Sequence, residues 1–418
     1  MSHRMSLFGE KFAGESGISL LMKDLGAALA GGDQIMMGGG NPGYVPEIEQ
    51  ALMARLGKLS EDVNLFRRAV GIYDAPQGEA QCIEALADYL SQTYGWPVGP
   101  ENICLTNGSQ TAFFMLFNLL AGPCRDGVHR HILLPVTPEY IGYADAGVHA
   151  GTFVARRPRI ELIGEQSFKY RLDFDVLGLS DSTGAVCLSR PTNPTGNVIT
   201  DAELKELARL TEERDIPLLI DGAYGLPFPG LVFGEAQPFY SNNTVLCLSL
   251  SKVGLPAIRT GIVIGPEWIV QALGEMNGIM SLAPGSMGAV LVEPMLRDGS
   301  LIDLCRTHVQ PFYKVRAEQA EARLKGALRG TPCRLHVPEG AMFLWLWMKD
   351  CPVPAQVMYE RLKQRGVLVV PGHHFFPGLE DDDWTHKQEC LRITYSQNPD
   401  DVMRGLDIIA EEVVKAYR

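Results

Sequence analysis

The chain reads as an α/β protein: a large domain with a mostly parallel sheet flanked by helices, then a smaller α+β domain. Three observations predict this. Short apolar runs at 102–106, 131–135, 185–189, 216–220 and 244–248 alternate with stretches of helical period at 79–94, 112–120, 201–214 and 267–277, the pattern of crossover connections. Each run ends in polar or glycine-containing residues, where an open α/β sheet holds its ligands. At 418 residues the chain exceeds one ordinary core. The expected division is an N-terminal segment, 1–46, packing with the small domain, a large domain over 47–300 and a small domain over 301–418.

The content of hydrophobic residues is 46% and of charged residues 21%, as in a water-soluble globular chain. A net charge of −12 with no basic block argues against nucleic acid and anionic membrane surfaces as partners. No apolar run approaches the roughly 20 residues of a membrane span. Residues 1–11 lack the apolar centre of a signal peptide. Nine cysteines lie scattered, several inside strand-like runs and none in a C-x-x-C pair. A reduced, cytoplasmic enzyme is the expectation.

In chain order, Ile18, Leu21, Met22, Leu25 and Leu29 form one helical stripe closed by Gly31 and Gly32. The run Gly38-Gly39-Gly40 that follows is a linker or a place where backbone passes close to a ligand carboxylate. A helix is expected over 47–59. The Pro- and Gly-containing loop at 72–78 carries Tyr73, able to reach a ligand or a partner subunit. The run 102–106 meets Asn107-Gly108-Ser109-Gln110-Thr111 before a helix expected to open at Ala112. Free N–H groups there bind phosphate, and Ser109 is also suited to a simple N-cap. Beyond 131–135 come Tyr140 and Tyr143, rings fit to stack on a flat ligand or to cap the core. Residues 156–182 read as an irregular excursion.

The run at 185–189 leads to Asn193, that at 216–220 to Asp221 and Tyr224, and that at 244–248 to Ser249, Ser251, Lys252 and Arg259. In one sheet these positions converge on one cleft. A carboxylate at the mouth of a buried strand needs a cationic or N–H partner, and a buried lysine is costly unless neutralised or made covalent. Two hydroxyls and an arginine suit a phosphate monoester. Together they point to pyridoxal 5′-phosphate (PLP) held by Lys252. The strand-rich remainder, with runs at 341–347, 366–372 and 390–395, places Arg392 inside an alternating strand, an odd setting for a cation without an anionic partner. His373-His374 and the acidic run 380–383 read as loop and solvated face.

Tyr73, Asn107-Gly108-Ser109, Asn193-Pro194-Thr195-Gly196, Asp221-Gly222-Ala223-Tyr224, Ser249-Leu250-Ser251-Lys252, Arg259 and Arg392 stand in the order found in the fold-type I PLP-dependent aminotransferases, class I/II, of the aspartate-aminotransferase superfamily. The chain resembles that family over essentially its whole length. The resemblance implies Lys252 as Schiff-base lysine and proton shuttle, and Asp221 at the pyridine nitrogen. It implies Tyr224 and Asn193 at the cofactor's phenolic oxygen and Tyr140 stacked on the ring. Gly108, Ser109, Gln110, Ser249 and Arg259 would hold the phosphate, with Tyr73 from the other subunit of a homodimer. Arg392, with Asn193 and a backbone contact at Gly39, would bind the substrate carboxylate. Substrates would be an amino acid and a 2-oxo acid. The aspartate enzymes' second arginine has no clear match in the small domain, so small or branched apolar donors are expected, with pyruvate as acceptor. Another aminotransferase specificity, for alanine or aromatic donors, or C–S lyase chemistry on the same fold is the alternative. A regulator with a dead catalytic domain would need a lost lysine or a DNA-binding extension, and the sequence shows neither.

Overall fold

A computed structural model of the chain describes residues 5–14, 19, 23, 26 and 34–418. Among them the large sheet has eight strands. Their order is Ile103–Thr106, Gly261–Ile264, Thr244–Ser249, Leu218–Asp221, Thr183–Ser189, His129–Leu134 and Gly122–Pro123, with Phe153–Ala155 also paired to His129–Leu134. The four neighbouring pairs from Thr244–Ser249 to Phe153–Ala155 are parallel. Gly261–Ile264 runs antiparallel to both its neighbours. Every residue of Thr183–Ser189, Leu218–Asp221 and Thr244–Ser249 is buried. Strands covered on both faces need apolar side chains in both directions, which is why they appear as unbroken apolar runs.

The covering helices start and stop where local chemistry dictates. Asp201–Glu212 opens on a capping box in which Thr200 and Glu203 bond each other's backbone N–H. Ala80–Tyr94 ends on Gly95 in the left-handed region, φ 65°. The helix expected to open at Ala112 opens three residues earlier, as Ser109–Leu120. Gly108, at φ 87°, takes the cap position, so Ser109 is the first helical residue and not an N-cap. The difference matters because it aims the free N–H groups of the first turn at the sheet's mouth.

The small domain is a six-stranded sheet ordered Val370–Pro371, Cys390–Thr394, Phe343–Trp347, Arg334–His336, Ser167–Arg171 and Arg159–Ile163. The last two correct the reading of 156–182 as irregular: they form an antiparallel hairpin that joins this sheet by parallel pairing with Arg334–His336. Arg159–Ile163 has no buried residue, so it carries no apolar alternation to reveal it. Residues 35–37 are pinned to the same domain. Ile35–Met36 pairs in parallel with Val367–Leu368, and the Met37 carbonyl accepts from the Thr394 N–H. The stripe from Ile18 to Leu29 lies outside the described residues. The long region after residue 300 is Ser300–Leu304, a π-helical turn Cys305–Val309, and Gln310–Ala327. All nine cysteines are free thiols.

Candidate active site

Four strands, ending at Thr106, Ser189, Asp221 and Ser249, point the same way, and their ends floor a cavity of about 180 Å³. Into it converge Ser109, Gln110, Tyr140, Asn193, Asp221, Tyr224, Ser249, Ser251, Lys252, Arg259 and Arg392. Residues 140 and 252 are over a hundred positions apart in sequence. They meet because parallel strands return the chain repeatedly to one edge of the sheet.

Three cations line this cavity. Lys252 follows the Thr244–Ser249 strand in a single 3₁₀ turn and donates to the Gly40 carbonyl at 2.5 Å. Its ammonium also lies 5.5 Å from the centre of the Tyr224 ring. Burial, with Arg392 and Arg259 nearby, lowers its pKa to about 8, against the opposing pull of Asp221. Arg392 is 2% exposed. Its two terminal nitrogens donate to Asn193 Oδ1 at 2.8 Å and to the Gly38 carbonyl at 2.7 Å. The guanidinium is stacked near Phe343 and Phe375, at 4.3 and 5.0 Å. Burial lowers its pKa to about 10. Its Nε is buried without a hydrogen-bond partner. A buried guanidinium with no carboxylate partner among the described residues and one orphaned N–H is arranged to receive an anion. Arg259 sits at φ 59° and donates to the Pro256 carbonyl at 3.0 Å and, at 3.4 Å, to Ser251 Oγ. A Cβ on Gly108 would stand 2.2 Å from Arg259 Nη2, so only glycine admits the arginine beside the Ser109 helix N-terminus.

Asp221 ends its strand opposite Ser189 on one side and Cys247 on the other. Tyr143 Oη donates to Oδ2 at 2.7 Å and the Ala223 N–H donates to Oδ1 at 2.9 Å. Burial raises its pKa, and those two bonds and Lys252 act against the rise. Tyr224 is buried, edge-on to Phe343 at 5.9 Å, and burial raises its phenol pKa. Tyr140 stands edge-on to Tyr143, 5.5 Å between ring centres. Gln110 is held by a bond to the Gly142 carbonyl at 3.0 Å, and Ser249 Oγ accepts from the Ser251 N–H at 3.1 Å.

Two expected participants do not line this chain's own cavity, Tyr73 having been expected from a partner subunit. Tyr73 is 82% exposed and does not line the cavity. Gly39 is buried between the two glycines whose carbonyls hold the cations, Gly38 and Gly40, and it is Gly40 that reaches the cavity. Tyr143 as the partner of Asp221, Ser189 and Glu139 were not singled out from sequence. Tyr143 follows Tyr140 by three residues across a 3₁₀ turn, a spacing that carries the signal. Among the described residues no group of three or more His, Cys, Asp or Glu could hold a metal, and no helix is long and apolar enough to cross a membrane.

Comparison with known proteins shows the family. The family model for aminotransferase class I and II matches residues 47–409. Valine–pyruvate aminotransferase of Escherichia coli K12 is 49% identical over 412 residues, covering 99% of this chain and 98% of that protein. The crystal structure of valine–pyruvate aminotransferase from Salmonella typhimurium LT2 superposes with a TM-score of 0.88, at 48% identity over 96% of this chain and 100% of the other. A proposed amino-acid aminotransferase of Psychrobacter arcticum 273-4 gives 0.95, at 41% identity over 100% and 99% of the two chains. The chain belongs to the aminotransferase class I and II family.

Proposed function

We propose that this enzyme moves an amino group between valine and pyruvate, giving 3-methyl-2-oxobutanoate and alanine, with PLP as cofactor. The observation that carries the reading is near-half identity to a valine–pyruvate aminotransferase along almost the whole chain. The cavity is consistent with it. A carboxylate at the depth of Asp221, an amine at Lys252 and a phosphate-type cradle at Gly108, Ser109, Ser249 and Arg259 fit PLP. The orphaned Arg392 Nε fits the donor's carboxylate. Among the described residues no further arginine or lysine lines the cavity to meet a second carboxylate.

When bound, PLP supplies an electron sink conjugated to the substrate nitrogen. The chain's own groups do the rest. Arg392 grips the α-carboxylate bidentately while Asn193 steadies the guanidinium, which orients the Cα–H bond. Lys252 Nζ would take the Cα proton and hold it for return; a pKa near 8 lets the amine accept and give protons close to neutrality. Asp221 keeps a negative charge at the cavity's depth, where positive charge must be held, and Tyr143 and the Ala223 N–H fix its direction. With PLP bound, Tyr224 and Asn193 would bond its ring oxygen and Tyr140 would cover the ring, and Gln110 lies beside the phosphate-type cradle. Asn193, Asp221, Tyr224 and Arg392 are buried, which keeps out the water that would compete for them.

We assign Tyr73 to the neighbouring site of a homodimer. It is fully presented to the outside beside exposed Val70 and Ile72.

The test is a donor and acceptor screen on the PLP-loaded protein. Valine and alanine are expected to exchange with pyruvate or 3-methyl-2-oxobutanoate, and aspartate to lag because its second carboxylate would be buried unpaired. Arg392→Ala should raise KM steeply for every donor, since several kcal/mol can rest on a shielded Arg–carboxylate pair. Aspartate as best donor, or release of ammonia with no 2-oxo acid required, would overturn the reading, the second in favour of a lyase.

A further inference from the structure

A carboxyl that the mechanism leaves unused lies beside the cavity. Glu139 is wholly buried. Its Oε1 accepts from the Ser189 N–H at 2.9 Å, and its Oε2 lies 2.5 Å from Ser189 Oγ. Ser189 lines the cavity, sits opposite Asp221 in the sheet, and accepts at its carbonyl from Thr192 Oγ1 at 3.0 Å, where the Asn193 turn begins. The backbone N–H of Glu139 donates to the Phe375 carbonyl at 2.8 Å, and the Phe375 ring packs near the Arg392 guanidinium. The next residue is Tyr140. The carboxyl thus ties the segment over the cavity to a strand end beneath it, while the backbone of the same residue holds the small-domain loop behind Arg392.

We propose that Glu139 is a positioning residue of this site, a buried carboxyl that clamps the Ser189 strand end and so sets the spacing between Tyr140 and the Asn193 turn around the ligand. The proposal rests on the cofactor reading given above. Removing the carboxyl leaves the Ser189 N–H and hydroxyl without partners in a place closed to water, so the strand end must move to find others. Burial pushes the Glu139 pKa up to about 8, aided by Asp221 and opposed by the Ser189 bonds. Ser189 Oγ donates to Oε2 and the Ser189 N–H to Oε1, so the carboxyl accepts from both groups of one residue. Glutamine keeps both contacts at the same reach: its oxygen accepts from the Ser189 N–H, and its NH2 donates to the hydroxyl oxygen, which can also accept. Aspartate is a methylene too short.

The experiment compares Glu139→Gln, Glu139→Asp and Glu139→Ala with the wild type. PLP affinity is read by fluorescence titration of the full-length apoprotein, melting temperature before and after loading, and kcat and KM on the loaded enzyme. Glu139→Gln should stay within about three-fold of wild type in PLP Kd and kcat, because both hydrogen bonds survive. Glu139→Ala and Glu139→Asp should weaken PLP binding about ten-fold or more and lower kcat, in protein shown to be folded. A merely structural glutamate would shift the apoprotein's melting temperature and leave PLP Kd and kcat of the folded protein unchanged. That result, or a Gln variant as impaired as the Ala variant, would overturn the proposal. Failure of wild-type apoprotein to bind PLP would instead remove the cofactor reading, and this proposal with it.

Discussion

At the scale of single residues the site is a set of charges held against their preference. Lys252 is the clearest, because burial lowers its pKa from 10.5 to about 8. The folded protein then binds fewer protons than the unfolded chain between about pH 8 and 10.5, so this group's contribution to stability rises with pH across that window. Below about pH 8 both forms are charged and the full penalty, on the order of a few kcal/mol, is present. Lys252→Met should therefore raise the melting temperature of the apoprotein at pH 7, and the gain should fade between pH 8 and 10.5. A gain that does not change with pH would mean the ammonium is not what burial disfavours. The same variant should lose all turnover, and borohydride reduction of the loaded wild type should label Lys252. Lysine and aspartate were legible in sequence because each follows an unbroken apolar run, which fixes both its depth and its place at a strand's end. Tyr143, Glu139 and the carbonyls of Gly38 and Gly40 were not. Their roles depend on how a 3₁₀ turn and a glycine strap are directed in space, and no residue pattern states that.

Among the elements, the Ser109–Leu120 helix and the Gly261–Ile264 strand set the phosphate-type cradle together. A Cβ on Gly261 would stand 2.6 Å from both the Gly108 carbonyl carbon and the Ser109 nitrogen, so the antiparallel strand passes directly under the turn. Gly108→Ala should therefore displace Arg259 and strain a backbone at φ 87°, weakening PLP binding by about ten-fold or more. Circular dichroism and the melting temperature of the apoprotein should change far less than that. Unchanged PLP affinity would show that Arg259 does not depend on the gap beside Gly108. The strand–turn–helix order was readable here, whereas the helix start was misplaced because Ser109 and Gln110 are polar and carry no helical period. The Arg159–Ile163 and Ser167–Arg171 hairpin escaped for a related reason. Its outer strand is an exposed sheet edge, and its buried partner, Ser-Phe-Lys-Tyr-Arg, hides a lysine whose charge is met by Glu339 at 2.5 Å. Hydropathy cannot announce a strand whose interior contains an ion pair.

For the whole molecule, the question is what covers the face around Tyr73. Val63, Phe66, Val70, Ile72 and Tyr73 are each more than half exposed, from 51% to 82%. The end of the Glu267–Ser281 helix adjoins them through the Asn277 amide, which donates to the Pro76 carbonyl at 2.9 Å, and it adds Ile279, 87% exposed. Apolar groups clustered in this way are costly in water and mark an interface. A twofold dimer through this face would present each Tyr73 to the other chain. Light scattering at micromolar concentration should give twice the chain mass, 45.8 kDa each. Charge introduced by Phe66→Asp with Ile72→Asp should shift it toward the monomer and lower activity in parallel. The sharper check is complementation. Lys252→Ala and Tyr73→Ala chains, each nearly inactive alone, should regain activity when mixed during refolding or co-expressed. In each mixed dimer one site then has its own Lys252 and a partner's intact Tyr73. Random pairing makes about a quarter of all sites intact, so recovery should approach a quarter of wild-type activity. Recovery no greater than the sum of the two parents would place Tyr73 at its own chain's site or at none, and the shared-site assignment would fall.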